Sequence, residues 1–234
     1  MFSIQEKERF KNIFKGLLAV LIYFSFSIFT TLPLSLFHIK YNDLSITIKE
    51  FYNFSVEIIM ITLILLIFKS QIKKAWQDLK KHHFEYFKDN FKFYLLGAML
   101  MMAANSLIAI LGGDMSGNET AIRDQFSLAP IYTFISAVFL APLLEESVFR
   151  LAFRNIFKNN FLFILTSGLI FGSLHLLGGV TLELLPLYMI SYCSFGFVFA
   201  YILTKTKNIF VTIGFHMMHN GILMSLQVFL LLFN

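Results

Sequence analysis

Residues 131–153, IYTFISAVFLAPLLEESVFRLAF, decide the fold because this run is long and apolar enough to cross a membrane as one helix. A transmembrane helix needs about 20 consecutive, mostly apolar residues. Only Glu145, Glu146 and Arg150 are charged in this run. Other stretches satisfy the same condition, so we predict an all-α, polytopic transmembrane helical bundle with about seven spans. The predicted spans are 17–37, 51–68, 93–111, 131–153, 161–177, 184–203 and 208–232.

The composition excludes an ordinary water-soluble domain. Of the 234 residues, 57% are hydrophobic and 14% are charged, whereas soluble domains contain about 25% charged residues. A chain of this length is predicted to form one compact membrane domain. In it, residues 1–130 provide N-terminal transmembrane helices and a basic interfacial loop, and residues 131–234 provide the helices with the polar site. The single cysteine, Cys193, lies in an apolar run and excludes a disulfide framework.

The placement of the basic residues predicts how the chain is oriented. Sixteen of the 19 Lys and Arg residues, counting Arg150 near the end of the fourth span with the turn that follows it, lie before the first span or in every second loop. The other loops hold only Lys40, Lys49 and Arg123. Cytoplasmic loops carry such an excess, so we predict a multi-pass protein of the cell membrane with a cytoplasmic N-terminus. The net charge of +5 arises from these loops and does not indicate nucleic-acid binding. Segments 10–17 and 72–83 are predicted to be interfacial amphipathic helices that lie on anionic lipid.

The first group of polar residues within a span is Glu145, Glu146 and Arg150. An ionisable residue near the bilayer centre costs about 2.5–3.5 kcal/mol on insertion scales and is a candidate functional residue. Glu146 and Arg150 are four residues apart and can pair on one helix face, which leaves Glu145 to take protons. Pro142 is predicted to kink the helix and to free backbone carbonyls. The alternative is a helix end whose charges lie at the cytoplasmic interface.

Two further groups contain histidine. Gly168 and Gly172 form a G-x-x-x-G step before His175, and small residues at this spacing let helix backbones approach closely. A lone histidine in a span can equally be a hydrogen-bonded packing residue. His216 and Asn220 are four residues apart and therefore share a helix face.

These residue types suit hydrolysis. A carboxylate and an imidazole can hold and deprotonate a water molecule that attacks a carbonyl group, and His216 and Asn220 would donate hydrogen bonds to the developing oxyanion. The residues Glu145, His175 and His216 also form a ligand set known for hydrolytic Zn²⁺ sites. The chain has no H-E-x-x-H motif, which would indicate a zinc protease. The residues alone therefore leave open whether peptide-bond hydrolysis proceeds with or without a metal ion.

Together the three motifs resemble the CAAX protease and bacteriocin-processing (CPBP) family of intramembrane endopeptidases. The family pattern is E-E-x-x-x-R, F-x-x-x-H and H-x-x-x-N on separate helices, and here it reads EESVFR (145–150), FGSLH (171–175) and HMMHN (216–220). The resemblance implies that Glu145 is the general base and that His175 is its water-holding partner. It further implies that Glu146 and Arg150 are structural or electrostatic supports and that His216 and Asn220 stabilise the oxyanion.

The resemblance also implies a membrane-associated peptide or protein substrate. The His216–Asn220 pair suits an oxyanion better than a metal, so we expect no cofactor, with Zn²⁺ as the alternative. A composition rich in Phe, Ile, Lys and Asn indicates an AT-rich bacterium. Two other functions remain open. One is a non-catalytic membrane scaffold or bacteriocin-immunity protein with the same fold. The other is a proton-coupled transporter, although transporters usually have two related halves and this sequence shows no such repeat.

Overall fold

The computed structural model describes residues 3–233. Its helices are α1 Ile4–Phe24, α2 Phe26–Leu36, α3 Ile46–Ile67, α4 Lys69–Ile110, α5 Gly117–Leu128, α6 Pro130–Ile156, α7 Asn160–Leu174, α8 Leu185–Thr206 and α9 Ile209–Phe233. Short 3₁₀ turns at Tyr41–Asp43 and Leu182–Leu184 precede α3 and α8. Residues 3–233 contain no β-strand, so the predicted all-α fold is confirmed.

Within residues 3–233, five helices are long and apolar enough to cross a membrane, namely α3, α4, α6, α8 with the turn before it, and α9. Helices α1 and α2 add a sixth span if they count as one, although they are bent by 55°. Helix α7 is apolar but has only 15 residues, about 22 Å, which is shorter than the hydrocarbon core of about 30 Å. The chain is therefore a multi-pass membrane protein. Its described part contains five or six helices of spanning length, where seven spans were predicted.

The basic segment after the second predicted span is continuous with the helix that follows it, and its predicted position at the membrane interface stays a prediction. Helix α4 runs unbroken for 42 residues, about 63 Å, and joins residues 69–92 to the predicted third span. Within the basic part, the Trp76 ring packs against Phe210 at 5.3 Å between centroids. The charged half and the apolar half of α4 thus share one helix axis, which the change in composition near residue 93 did not indicate.

The chain forms two compact units, and the first consists of Met1–Ile72, Gln125–Ile156 and Met217–Asn234. In this unit α1 packs closely on α6, because a Cβ added to Gly16 would lie 2.7 Å from the carbonyl oxygen of Ala152. The Arg9 guanidinium donates hydrogen bonds to the carbonyls of Asn155 and Ile156 at the end of α6. A cation at a helix C-terminus also interacts favourably with the helix dipole, so α1 stabilises this end of α6.

The second unit consists of Lys73–Asp124 and Phe157–His216, and its best-packed helices are α7 and α8. A Cβ added to Gly172 would lie 2.3 Å from the Cys193 sulfur, and one added to Gly196 would lie 2.6 Å from the Gly168 carbonyl oxygen. The close helix approach predicted from Gly168 and Gly172 is confirmed. Cys193 is buried at this contact. The predicted division of a single domain into residues 1–130 and 131–234 stays a prediction.

Candidate active site

Helix α6 departs from α-helical geometry on both sides of Glu145. Ser136–Leu140 and Glu146–Ala152 are π-helical, and in the first stretch the Ala141 N–H donates to the carbonyl of Ser136, five residues back. π-Helical turns are rare and occur frequently at functional sites. The hydrogen-bond pattern of α6 thus changes next to the charged residues that the sequence singled out.

Pro142 explains why one backbone carbonyl of α6 receives no hydrogen bond from within the helix. The next bond in the π pattern would run from residue 142 to the carbonyl of Ala137, but proline has no N–H to donate. The side-chain amide of Asn220 in α9 donates to this carbonyl instead, at 2.8 Å. The predicted release of a carbonyl by Pro142 is therefore observed at Ala137. One of the two amide N–H groups of Asn220 is used there.

Glu146 and Arg150 form the predicted ion pair inside the first unit. The Arg150 Nε lies 3.3 Å from the Glu146 Oε2, and both side chains are 0% exposed. Charges at an interface would be hydrated, so full burial argues against the alternative of a helix end in interfacial water. Removing one partner of a buried pair leaves an uncompensated charge, which typically costs about 3–5 kcal/mol. Glu145, one residue earlier, is only half-buried.

His175 lies at the C-terminal cap of α7, where the helix leaves backbone carbonyls without N–H partners. Its Nδ1 lies 2.9 Å from the carbonyl oxygen of Phe171. A carbonyl can only accept, so Nδ1 carries the proton and the neutral ring has its lone pair on Nε2. The ring also stacks on Tyr192, with centroids 5.8 Å apart and planes at 19°. The hydrogen bond to Phe171 fixes the tautomer of the imidazole, and the stacking on Tyr192 fixes the plane of its ring.

His216 lies on α9 and is 5% exposed. Its ring is 5.9 Å from that of Phe171 in an edge-on arrangement and 5.4 Å from that of Phe199. The ring of Phe171 is also 4.6 Å from that of His175. The two histidines predicted from separate motifs therefore pack on the same phenylalanine, which is the first residue of the F-x-x-x-H motif.

The six predicted site residues are divided between the two units. The first unit contains Glu145, Glu146, Arg150 and Asn220, and the second contains His175 and His216. Within each unit taken by itself, no three described His, Cys, Asp or Glu side chains are grouped to hold a metal ion. The Zn²⁺ set of Glu145 with the two histidines draws on both units and stays a prediction, as do the catalytic roles.

A polar cluster surrounds Glu57, in the middle of α3, and was not predicted from the sequence. The Tyr132 hydroxyl donates to Glu57 Oε1 at 2.9 Å, and the Ser136 hydroxyl lies 3.0 Å from Oε1 and 2.9 Å from Oε2. The signal was present, because Glu57 is an acidic residue inside the predicted span 51–68. No motif accompanies Glu57 in the sequence. Its hydrogen-bond partners lie about 75 residues further along the chain, and they reach Glu57 only because α6 packs against α3 in the tertiary structure.

Comparison with known proteins confirms the resemblance that the motifs indicated. Residues 127–222 match the family described as type II CAAX prenyl endopeptidase Rce1-like, and all six predicted site residues lie in this range. A Bacillus subtilis protein named "Putative membrane peptidase YdiL" is 34% identical over 119 residues, which are 50% of this chain and 45% of the relative. The match thus spans less than half of the relative's length. No solved structure matches the chain.

Proposed function

We propose that this chain is an intramembrane endopeptidase acting on a membrane-associated peptide or protein, because residues 127–222 match the type II CAAX prenyl endopeptidase Rce1-like family. The observation that carries the proposal is the Glu146–Arg150 pair, which is completely buried within a span and lies inside the matched region. Ionised side chains in a membrane helix are costly and mark functional sites. A non-catalytic scaffold has no need of them.

The proposed reaction uses water as the nucleophile. Glu145 takes a proton from the water as its oxygen forms a bond to the scissile carbonyl carbon, and His175 holds the same water through Nε2. The carbonyl oxygen becomes an oxyanion, to which His216 and Asn220 donate hydrogen bonds. When the C–N bond breaks, the leaving nitrogen takes the proton from Glu145, and the carboxylate is regenerated.

The environment of each residue supports its role. Arg150 compensates the charge of Glu146, so that only Glu145 of the two adjacent acids is required to change its protonation state. The Phe171 carbonyl holds the proton on Nδ1 of His175, which leaves a lone pair on Nε2 to accept a hydrogen bond from water. Asn220 uses one amide N–H for Ala137, and the proposal assigns its second N–H to the oxyanion.

We further propose that the N-terminus is cytoplasmic and that the substrate is a bacterial peptide precursor or membrane protein. The orientation follows from the Lys and Arg excess in alternate loops. The chemistry is proposed to proceed without a metal. Glu145, His175 and His216 would be the ligands if Zn²⁺ were bound, and the metal would then polarise the substrate carbonyl and activate the water.

The test is a comparison of the peptides in membranes from cells that express the wild-type chain, Glu145→Gln or His175→Ala. Glu183→Gln is the matched control, because Glu183 is an exposed acid in the turn before α8. Precursor peptides should accumulate, and their cleaved products should disappear, in both site variants but not in the control. If both site variants reach wild-type levels in the membrane and the cleaved products persist, the endopeptidase proposal is wrong. Retention of a cellular function by both variants would favour a scaffold.

A further inference from the structure

Glu57 lies in the middle of the membrane helix Ile46–Ile67 and has no part in the proposed hydrolysis. It accepts hydrogen bonds from the hydroxyls of Tyr132 and Ser136, both on α6. An acidic residue at this depth costs about 2.5–3.5 kcal/mol on insertion scales. Hydroxyl donors offset part of this cost, so the carboxylate and the two hydroxyls form a membrane-embedded link between α3 and α6.

The link ends where the geometry of α6 changes. Ser136 is the first residue of the π-helical stretch Ser136–Leu140, and Tyr132 lies four residues earlier, on the same helix face. The next residue, Ala137, has its carbonyl held by Asn220 of α9. Two consecutive residues at the start of the π stretch are therefore tied by side chains to two different helices.

The π stretch decides the direction in which Glu145 projects. A π-helical bond spans one residue more than an α-helical bond, and each residue of an α-helix turns the chain by about 100°. If Ser136–Leu140 relaxed to an α-helix, everything after it would rotate by about one residue position around the axis. Glu145 and the buried Glu146 would then change faces.

We propose that Glu57 is a positioning residue. Together with Asn220 it holds Ser136–Leu140 in the π form and thereby sets the direction of Glu145. Glu57 acts through the hydroxyls of Tyr132 and Ser136 and does not handle a proton in the reaction. Only the effect of this residue on catalysis rests on the proposed endopeptidase function, since the geometric claim concerns the contacts of α6 with α3 and α9.

The first test measures the rotation of α6 and needs no activity assay. Single cysteines are introduced at positions 143–147, one at a time, in a Cys193→Ala background, and the rate of maleimide labelling of each is measured in lipid nanodiscs. In the otherwise wild-type chain, position 145 should label faster than position 146, which is fully buried. In Glu57→Leu and in Ser136→Ala, the fastest-labelling position should move away from 145 by one residue.

Two control variants distinguish the loss of the Glu57 hydrogen bonds from a general destabilisation of the fold. Glu57→Gln keeps an acceptor oxygen for the hydroxyls and should retain the wild-type labelling pattern. Tyr52→Phe removes another α3 hydroxyl, which donates to the carbonyl of Thr30 at 2.8 Å, and should also leave the pattern unchanged. Because Glu57 and Ser136 act as one unit, the double variant Glu57→Leu/Ser136→Ala should shift the pattern no further than either single variant.

The second test measures cleavage by the same variants. Glu57→Leu and Ser136→Ala should lower kcat with little change in KM, and Glu57→Gln should keep both the rate and the pH profile of the wild type. An unshifted labelling pattern in Glu57→Leu and Ser136→Ala would overturn the proposal, whatever the activity. Loss of cleavage in Glu57→Gln with an unshifted pattern would also overturn it, because Glu57 would then act as an acid. If the two variants shift the pattern while even the wild-type chain cleaves no peptide, the positioning role is supported and the endopeptidase function is contradicted.

Discussion

The Nδ1 atom of His175 donates a hydrogen bond to the carbonyl of Phe171 at 2.9 Å, and the ring of the same phenylalanine packs against both His175 and His216. Phe171 therefore orients the two imidazoles by different means. Its backbone fixes the tautomer of His175, and its side chain fixes the ring positions. The F-x-x-x-H motif thus has a physical reason for its aromatic residue as well as for its spacing.

Phe171→Leu should lower kcat because it removes the ring but keeps the backbone carbonyl. Leucine retains most of the apolar volume, so the loss of stability should be modest, whereas a misplacement of catalytic groups by about 1 Å can cost about 100-fold in rate. We expect a decrease of about 10-fold or more, measured as initial cleavage rates in detergent or nanodiscs. Phe163→Leu, at another buried phenylalanine of α7, is the control. Equal rates for the two variants would contradict the orienting role of the ring.

Arg150→Met should destabilise the chain by about 3–5 kcal/mol, because it leaves Glu146 without its counter-charge in a fully buried site. The double variant Glu146→Met/Arg150→Met should lose much less, since two apolar side chains of similar volume replace the whole pair. The measurement is the midpoint of unfolding in detergent for Arg150→Met, Glu146→Met and the double variant. Additive losses would show that the two charges are not coupled.

Gly172→Ala should separate α7 from α8. The new Cβ would lie 2.3 Å from the Cys193 sulfur and 2.8 Å from its backbone nitrogen, so the sulfur and the backbone would both have to move. Gly221→Ala is the matched control, because its Cβ would meet only Val138 at an ordinary 3.7 Å and alanine is the better helix former by about 1 kcal/mol. We expect a lower melting temperature for the first variant and an equal or higher one for the second. The reverse order would exclude tight packing at Gly172.

Chelators should leave cleavage unchanged if Glu145 and His175 activate the water without a metal ion. The purified chain is incubated with EDTA or phenanthroline, dialysed and assayed against an untreated sample. Activity that is lost on treatment and restored by Zn²⁺ alone would overturn the metal-free proposal and would assign Glu145, His175 and His216 as ligands.

Several features could be predicted from the sequence because they depend only on the spacing of residues along one helix. Apolar runs long enough to span a bilayer predicted the helices, the four-residue interval predicted the Glu146–Arg150 pair, and Gly168 with Gly172 predicted a close helix contact. These signals hold for any helix, whatever surrounds it. The predicted count of seven spans was less accurate, because hydropathy does not reveal that α7 ends at Leu174 or that α4 continues through its basic segment.

The sequence by itself determined that this chain is a multi-pass, all-helical membrane protein with costly charged residues in its later spans, because burial of polar groups in lipid restricts the backbone to helices with internally satisfied bonds. Only the tertiary structure decided that Glu57 joins Ser136 and that Asn220 holds the Ala137 carbonyl. Those contacts depend on π-helical register and on helices that are distant along the chain. A shift of one residue in hydrogen-bond register rotates a side chain by about 100°, and no periodicity in the sequence records it.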